Sequence, residues 1–233
     1  MSTIGSFYRL LPVLGKNRQI IAVEQQGHGH TADIARPFNF AQWAEDTAEL
    51  LRLLGIEKAD FFGYSDGGMV ALEIAMRHPE LVRKLALSSA VYNIGGYYPE
   101  IGEGMKHITA DVLPPQMREA YEAVVPHPEN WSKLVAKAAE HARQYRGSRP
   151  EEIQAIAAPA LVMVADHDIV RIEHAAELAR LLRTELVVLP NSDHVTYLLE
   201  RPDALLAKLT AFLDASMQEA EQSANHSSRE AVG

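Results

Sequence analysis

The segment GYSDGG, residues 63–68, places a serine within a Gly-x-Ser-x-Gly pattern. A serine hydroxyl becomes an effective nucleophile only when a base removes its proton and an acid orients that base. Glycines two residues to either side are typical of a sharp strand-to-helix turn that exposes the hydroxyl. Ser65 is therefore a candidate nucleophile, and the alternative interpretation is an idle serine in a glycine-rich loop.

A candidate base and two candidate acids follow Ser65 along the chain. Ten histidines compete for the role of base, and His194 in NSDHVTYL comes just after the last apolar segment that resembles a strand. The segment VMVADHDIV supplies two carboxylates, Asp166 and Asp168, after another such segment. Because the carboxyl ends of parallel strands meet at one edge of a sheet, these side chains are expected to lie near Ser65.

Short apolar segments alternate with segments of helical period. The five predicted strands are Gln19–Val23, Ala59–Gly63, Lys84–Ser88, Ala160–Ala165 and Glu185–Leu189. Each is rich in branched or aromatic residues, as buried parallel strands are. The predicted helices around them run from about Ile4 to Leu14, Asn39 to Leu54, Gly67 to His78 and Pro202 to Phe212. This alternation predicts an α/β fold with a mostly parallel sheet and helices on both faces.

One long stretch breaks the alternation. Residues 92–150 contain no convincing strand but six prolines, and they suggest one helix from Pro115 and another near Trp131. We interpret the stretch as a helical cap, with a long crossover as the alternative. The predicted organisation is a first part of the core with the nucleophile turn (1–91), the cap (92–150), a second part of the core with acid and base (151–214), and a disordered tail (215–233).

The composition of the chain excludes or disfavours several kinds of binding partner and structural feature. The 233 residues carry a formal net charge of −9 without a basic cluster, which disfavours nucleic acid and anionic membranes as partners. The absence of cysteine excludes disulfides and thiolate metal sites. No apolar run reaches the length of about eighteen residues that a membrane span needs, and no signal peptide is recognisable. We expect a cytoplasmic protein that is monomeric or weakly self-associating.

From about Gln19 to Phe212 the chain resembles α/β-hydrolase fold proteins of the esterase and lipase type. The resemblance rests on IIAVEQQGHGHT, FFGYSDGGMVALEIAMRHPELVRKLAL, LVMVADHDIV and LPNSDH. In similar proteins the acid closes a Gly-x-x-Asp turn. Here Ala165 replaces the glycine and Asp168 stands at the fourth position, so the resemblance favours Asp168 over Asp166.

The resemblance implies a serine hydrolase with a triad of Ser65, His194 and Asp168. The backbone N–H of Asp66, at the start of a helix, suits a developing oxyanion. A small carboxylic ester is the expected substrate, and no cofactor is expected. A perhydrolase, an amidase and a carbon–carbon hydrolase remain open, because each can use the same triad. A non-catalytic ligand-binding protein on the same scaffold is the alternative from another class.

A metal site is a weaker interpretation of the segment GHGHT. His28 and His30 have the spacing of a His-x-His metal pair. The spacing to Asp33 does not continue as metal-dependent hydrolases require, and similar α/β-hydrolases carry a Gly-His-Gly turn here without metal. We therefore predict no metal.

The resemblance also implies strands that this sequence lacks. Similar hydrolases place two or three strands before the helix near Ile4, and the third ends in a His-Gly loop that supplies half the oxyanion hole. That strand would lie between Gln19–Val23 and Ala59–Gly63, and its loss would leave a gap of roughly 10 Å. We therefore expect an N-terminally incomplete fold that is poorly soluble and nearly inactive as it stands.

Overall fold

The computed structural model describes residues 3–217. The strands β1 to β4 are Ala59–Tyr64, Val82–Ser88, Ala160–His167 and Leu186–Asp193. The helices α1 to α10 are Leu11–Leu14, Phe40–Leu53, Asp66–Arg77, Pro99–Lys106, Pro115–Glu122, Trp131–Gln144, Pro150–Gln154, Ile172–Leu181, Thr196–Leu199 and Asp203–Asp214. Short 3-10 turns are Ile4–Phe7, Pro79–Leu81, Ile94–Gly96 and Pro128–Asn130.

The four strands form one parallel sheet in the order β1-β2-β3-β4. Helix α3 packs on β1 and β2, α8 packs on β3 and β4, and α10 packs on β3. The strand interiors are apolar, with Leu85, Leu87 and Val164 fully buried. Burying such side chains on both sheet faces is the main driving force for this architecture. The predicted α/β fold with a parallel sheet and helices on both sides is confirmed.

One predicted strand is wrong. Residues 19–23 form no regular structure, and Ile20 and Val23 are each 37% exposed. A strand is stable only when a neighbouring strand satisfies its backbone groups. Within residues 3–217 the sheet contains only β1 to β4, so the backbone groups of residues 19–23 are not paired in a ladder. Their apolar pattern alone is insufficient to form a strand.

The chain divides into two compact units. Residues 3–39 and 99–145 form the first, in which α4 and α5 pack on α6 around Trp131, Leu134 and Val135. Residues 40–98 and 146–217 form the second, which contains the whole sheet. The cap boundaries at 92 and 150 stay predictions, and the predicted tail lies outside the described residues from 218 onward. Across residues 3–217 no helix is long and apolar enough to cross a membrane.

A buried histidine joins α8 to the loop after β2. His174 Nε2 accepts the backbone N–H of Tyr92 at 3.2 Å, and the two rings stack with centroids 4.4 Å apart. Burial lowers the pKa of His174 to about 4. Because Nε2 accepts a hydrogen bond, the ring is neutral in the folded protein.

We expect His174 to make the fold acid-sensitive. An unfolded histidine takes up its proton near pH 6.5, before the folded one, so stability is lost as the pH falls from about 6.5 to about 4. The shift corresponds to about 3 kcal/mol in the free energy of unfolding. Denaturant titrations should show a shallower acid decline for His174→Gln than for wild type. The exposed His107→Gln serves as control, and parallel curves for wild type and His174→Gln would contradict the prediction.

Candidate active site

Each strand of the sheet is followed directly by a polar side chain. Ser65 comes after β1, Ser89 after β2, Asp168 after β3 and His194 after β4. The register pairs Tyr64 with Ser88 and His167 with Asp193, so the strands end at one common edge. The sheet therefore gathers these four residues where open α/β sheets bind ligands.

Ser65 occupies a strained turn between β1 and α3. Its φ of 52° and ψ of −124° are rarely adopted by side-chain-bearing residues. The Ser65 N–H donates to the carbonyl of Ser88 at 2.9 Å, and the Ser65 carbonyl accepts the N–H of Gly68 at 2.8 Å. These backbone bonds hold the turn, and strain of this kind is typical of functional sites.

Ser65, His194 and Asp168 form a continuous hydrogen-bonded line. Ser65 Oγ is 3.1 Å from His194 Nε2, and His194 Nδ1 is 2.7 Å from Asp168 Oδ1. A carboxylate can only accept, so Nδ1 carries the ring proton and Nε2 presents a lone pair to the Ser65 hydroxyl. This is the tautomer in which an imidazole can remove a serine proton.

The Asp168 carboxylate is fully buried and satisfied. Its side chain is 0% exposed, and besides His194 it accepts the N–H groups of Val170 at 3.1 Å and Ala165 at 3.2 Å and the hydroxyl of Ser89. Burial acts to raise the pKa of Asp168, but the hydrogen bonds and the charge of His194 together lower it below its usual value. The acid therefore stays ionised and oriented towards the histidine.

Asp166 has a different environment from Asp168. Its two carboxylate oxygens accept the backbone N–H groups of Asn191 at 2.7 Å and Ser192 at 2.8 Å. The Asp166 carboxylate thus ties the end of β3 to the last residues of β4, two positions before His194. It braces the segment that carries the histidine but makes no hydrogen bond to the ring.

The backbone around His194 is held from two sides. Asp193 Oδ1 accepts the N–H groups of Val195 and Thr196, each at 2.9 Å, at the start of the short helix α9. The phenol of Tyr64, the last residue of β1, donates to the His194 carbonyl. The position of the His194 ring relative to Ser65 is therefore set by contacts with the start of α9 and with the end of β1.

Asp66 lies at the first position of α3, where backbone N–H groups of a helix lack intrahelical acceptors. Helix α3 runs for 12 residues, so its dipole favours negative charge at this end. The N–H of Asp66 follows the candidate nucleophile directly and suits an oxyanion on the attacked carbon.

The His-x-His segment has hydrogen-bonding partners in the first unit. His28 Nδ1 is 3.0 Å from a backbone carbonyl, and His30 Nδ1 is 2.9 Å from Glu24. Asp33 pairs with Lys137 at 2.6 Å. Between residues 3 and 217 no group of three or more histidine, cysteine, aspartate or glutamate side chains is placed to hold a metal.

Comparison with known proteins places this chain in a family. The family model described as "Alpha/beta hydrolase family" matches residues 3–208. The chain belongs to the alpha/beta hydrolase family.

Curated relatives of the chain have varied names. The chain is 40% identical over 79 residues to 2-hydroxymuconate semialdehyde hydrolase of a Pseudomonas strain, covering 34% of this chain and 28% of that protein. It is 39% identical over 84 residues to a pimeloyl-(acyl-carrier protein) methyl ester esterase of Neisseria meningitidis, covering 36% and 31%. These alignments thus span about a third of the relatives' length.

A solved structure shows a similar fold. A meta-cleavage product hydrolase from Pseudomonas fluorescens superposes with a TM-score of 0.72 at 23% identity, covering 91% of this chain and 85% of that one. At this identity the likeness concerns the fold alone.

The glycines around Ser65 in this chain differ in how much space surrounds them. A Cβ on Gly63 would lie 2.3 Å from the Gly67 carbonyl oxygen, and one on Gly68 would lie 2.5 Å from the Ala90 Cβ. A Cβ on Gly67 would meet no described heavy atom within 4 Å. The glycines two residues before and after Ser65 are therefore not equivalent, since the close approaches are at Gly63 and Gly68.

We expect these glycines to respond differently to alanine. Gly63→Ala forces backbone against backbone and should destabilise the protein by at least about 1–3 kcal/mol. Gly67→Ala enters open space and should leave the free energy of unfolding within about 0.5 kcal/mol of wild type. Thermal or denaturant unfolding of the two variants tests this, and equal destabilisation by both would contradict it.

Sequence reasoning missed two polar residues of this site. Ser89 hydrogen-bonds Asp168, and Tyr197 hydrogen-bonds Ser89 and Ser88. The signal for Ser89 is its position directly after a strand, which it shares with Ser65, Asp168 and His194. Tyr197 had no comparable signal in the sequence.

Proposed function

We propose that this chain is a serine hydrolase that cleaves a small carboxylic ester through an acyl-enzyme. The observation that carries the proposal is the line from Ser65 Oγ through His194 to Asp168, with separations of 3.1 Å and 2.7 Å. Both distances are within reach for proton transfer and orientation. Membership of the alpha/beta hydrolase family supports the same class of chemistry.

The first half-reaction acylates Ser65. His194 Nε2 takes the hydroxyl proton as Ser65 Oγ bonds to the ester carbonyl carbon, and the carbonyl oxygen becomes an oxyanion facing the N–H of Asp66. Asp168 stabilises the imidazolium that forms. The carbon–oxygen bond to the alcohol then breaks, and the alcohol leaves with the proton from His194.

The second half-reaction restores the serine. His194 removes a proton from water as the water oxygen attacks the acyl carbon, and the N–H of Asp66 donates to the new oxyanion. Collapse releases the carboxylic acid and returns the proton to Ser65. No cofactor takes part in these steps, because every proton is held by the triad, the water or the substrate.

Similarity to relatives supports two substrate classes. The relative named as a methyl ester esterase favours a carboxylic ester. The relative named 2-hydroxymuconate semialdehyde hydrolase favours, as a second candidate, a carbon–carbon hydrolase that uses the same triad. Both candidates require Ser65, His194 and Asp168.

A substrate panel tests the proposal. Purified protein is assayed with p-nitrophenyl acetate and butyrate and, separately, with 2-hydroxymuconate semialdehyde, alongside Ser65→Ala and the exposed-serine control Ser132→Ala. We expect slow ester turnover that Ser132→Ala keeps and Ser65→Ala loses. Turnover of the semialdehyde alone favours the second candidate, and turnover that survives Ser65→Ala contradicts the mechanism.

A further inference from the structure

Three buried hydroxyl groups form a row that ends on Asp168 Oδ2, the carboxylate oxygen that does not contact His194. The Ser89 hydroxyl donates to Asp168 Oδ2, and Ser89 Oγ is 2.6 Å from the phenol oxygen of Tyr197. The Tyr197 oxygen is in turn 2.9 Å from Ser88 Oγ. Ser88, Ser89 and Tyr197 are each at most 1% exposed. Water therefore has no access with which to replace a missing partner in this row.

The number of protons available fixes which group donates in each of these hydrogen bonds. A carboxylate only accepts, so the one proton of Ser89 is used on Asp168. Tyr197 must then donate to Ser89, and Ser88 must donate to Tyr197. Burial raises the pKa of Tyr197 well above its usual value, so its phenol keeps the proton that this order requires. Hydrogen bonds aligned in one sense polarise one another and strengthen the last of them.

We propose that the hydroxyls of Ser88, Tyr197 and Ser89 act as a hydrogen-bond chain that positions the Asp168 carboxylate and sets the pH range in which His194 works as a base. The proposal rests on the triad proposed above and adds positioning residues to it. None of the three hydroxyls is assigned contact with the substrate.

The backbone conformation around Ser89 and Tyr197 supports this hydrogen-bond chain. Ser89 has a φ of 51°, a region that costs energy for a side-chain-bearing residue, and its N–H donates to the Met163 carbonyl at 2.9 Å. Tyr197 belongs to α9, three residues after His194, so the same short segment carries the base and the middle of the chain. The chain thus ties β2 and α9 to the acid at the end of β3.

The sign of the effect follows from charge. A donated hydrogen bond draws negative charge towards Ser89 and away from the histidine side of the carboxylate. Without it, the Asp168 charge stabilises the imidazolium more strongly, so His194 is neutral only at higher pH. Among residues 3–217 the other titratable groups in contact with His194 are Asp193 and Tyr64, and Asp66 acts on Tyr64. Substitutions at Ser88, Ser89 or Tyr197 leave Asp193, Tyr64 and Asp66 in place.

The experiment compares pH profiles of matched variants. Ser89→Ala and Ser89→Gly both remove the hydroxyl, but glycine also relieves the positive φ, so an effect common to both belongs to the hydroxyl. Tyr197→Phe and Ser88→Ala remove donors one and two steps further away. Thr184→Val is the control, because it deletes a hydroxyl that donates to the Ala160 carbonyl at 2.8 Å, at the start of β3.

Two readouts are recorded across the pH range. One is kcat/KM for p-nitrophenyl acetate, and the other is the NMR titration of the His194 ring, assigned by its loss in His194→Gln. For both Ser89 variants we expect kcat/KM to fall about 10- to 100-fold, because the Asp168 carboxylate loses a hydrogen bond that holds it in position for His194. The acidic limb of the profile and the midpoint of the ring titration should both move to higher pH. The displacement should shrink from Ser89 to Tyr197 to Ser88, and Thr184→Val should show none.

The outcomes separate this inference from the proposed function. The hydrogen-bond chain is contradicted if folded Ser89 variants keep the acidic limb of the pH profile and the ring-titration midpoint of wild type. It is also contradicted if Ser88→Ala displaces the limb and the midpoint more than Ser89→Gly does. If Ser89→Ala does not fold, the pH profiles and ring titrations of Ser89→Gly and Tyr197→Phe test the proposal. If the wild type cleaves no ester, the proposed substrate class fails, whereas the ring titration still tests the chain.

Discussion

Replacing His194 by alanine is expected to abolish ester turnover, and adding Ser65→Ala to it is expected to cost almost nothing further. In the proposed mechanism the two side chains, 3.1 Å apart, take part in the same proton transfer, so neither would function without the other. The loss for either single variant should be on the order of 10⁶-fold in kcat, because triad members act as a unit. Stopped-flow kinetics with an activated p-nitrophenyl ester measure the loss.

Two controls make that result specific. The exposed His107→Ala removes an imidazole outside the site and should keep wild-type turnover. Circular dichroism and thermal unfolding should show that the single and double variants are folded. Losses that add up independently in the double variant would mean that Ser65 and His194 do not act on the same step.

Replacing Asp168 by asparagine is expected to lower kcat by about 10⁴-fold, because the amide no longer favours the tautomer that presents Nε2 to Ser65. The buried carboxylate accepts His194 Nδ1 at 2.7 Å, and an amide nitrogen there has no lone pair to offer. Rates for Asp168→Asn and wild type, measured on the same ester, give the ratio directly.

The matched variant for that test is Asp166→Asn. Asp166 holds the backbone N–H groups of Asn191 and Ser192, so its loss loosens the segment before His194 without changing the tautomer of the ring. We expect kcat to fall less than about tenfold and thermal stability to fall as well. Full activity in Asp168→Asn together with loss in Asp166→Asn would mean that the wrong carboxylate had been assigned.

Most of the fold was predictable because its signals are local. The strands β1 to β4 coincide with apolar segments predicted from branched and aromatic residues, with boundaries displaced by a few residues at most. Helices α2, α3 and α10 also begin and end within two residues of their predicted bounds. Residues 19–23 have the same kind of apolar pattern, yet they form no strand, because a strand also depends on a partner that local sequence does not specify.

The candidate site was predictable where chemistry and position coincide. Ser65, Asp168 and His194 combine reactive side chains with places directly after strands, so sequence reasoning could bring them together. Ser89 occupies an equivalent place, but serine is common after strands and its partner is fixed only by the tertiary arrangement. The role of Gly68 depends on the approach of Ala90 in another element, which no short pattern encodes.

The most direct test of the proposed mechanism is covalent labelling of the 233-residue chain with a fluorophosphonate, followed by intact mass measurement and peptide mapping. Phosphonylation needs an activated serine and a working base but no turnover, so it reports on a slow enzyme as well as on a fast one. We expect one phosphonyl group per chain, located on Ser65, absent from Ser65→Ala and formed far more slowly in His194→Ala. A chain that gains no adduct, or one that is labelled equally in Ser65→Ala, would contradict the assignment of Ser65 as the nucleophile.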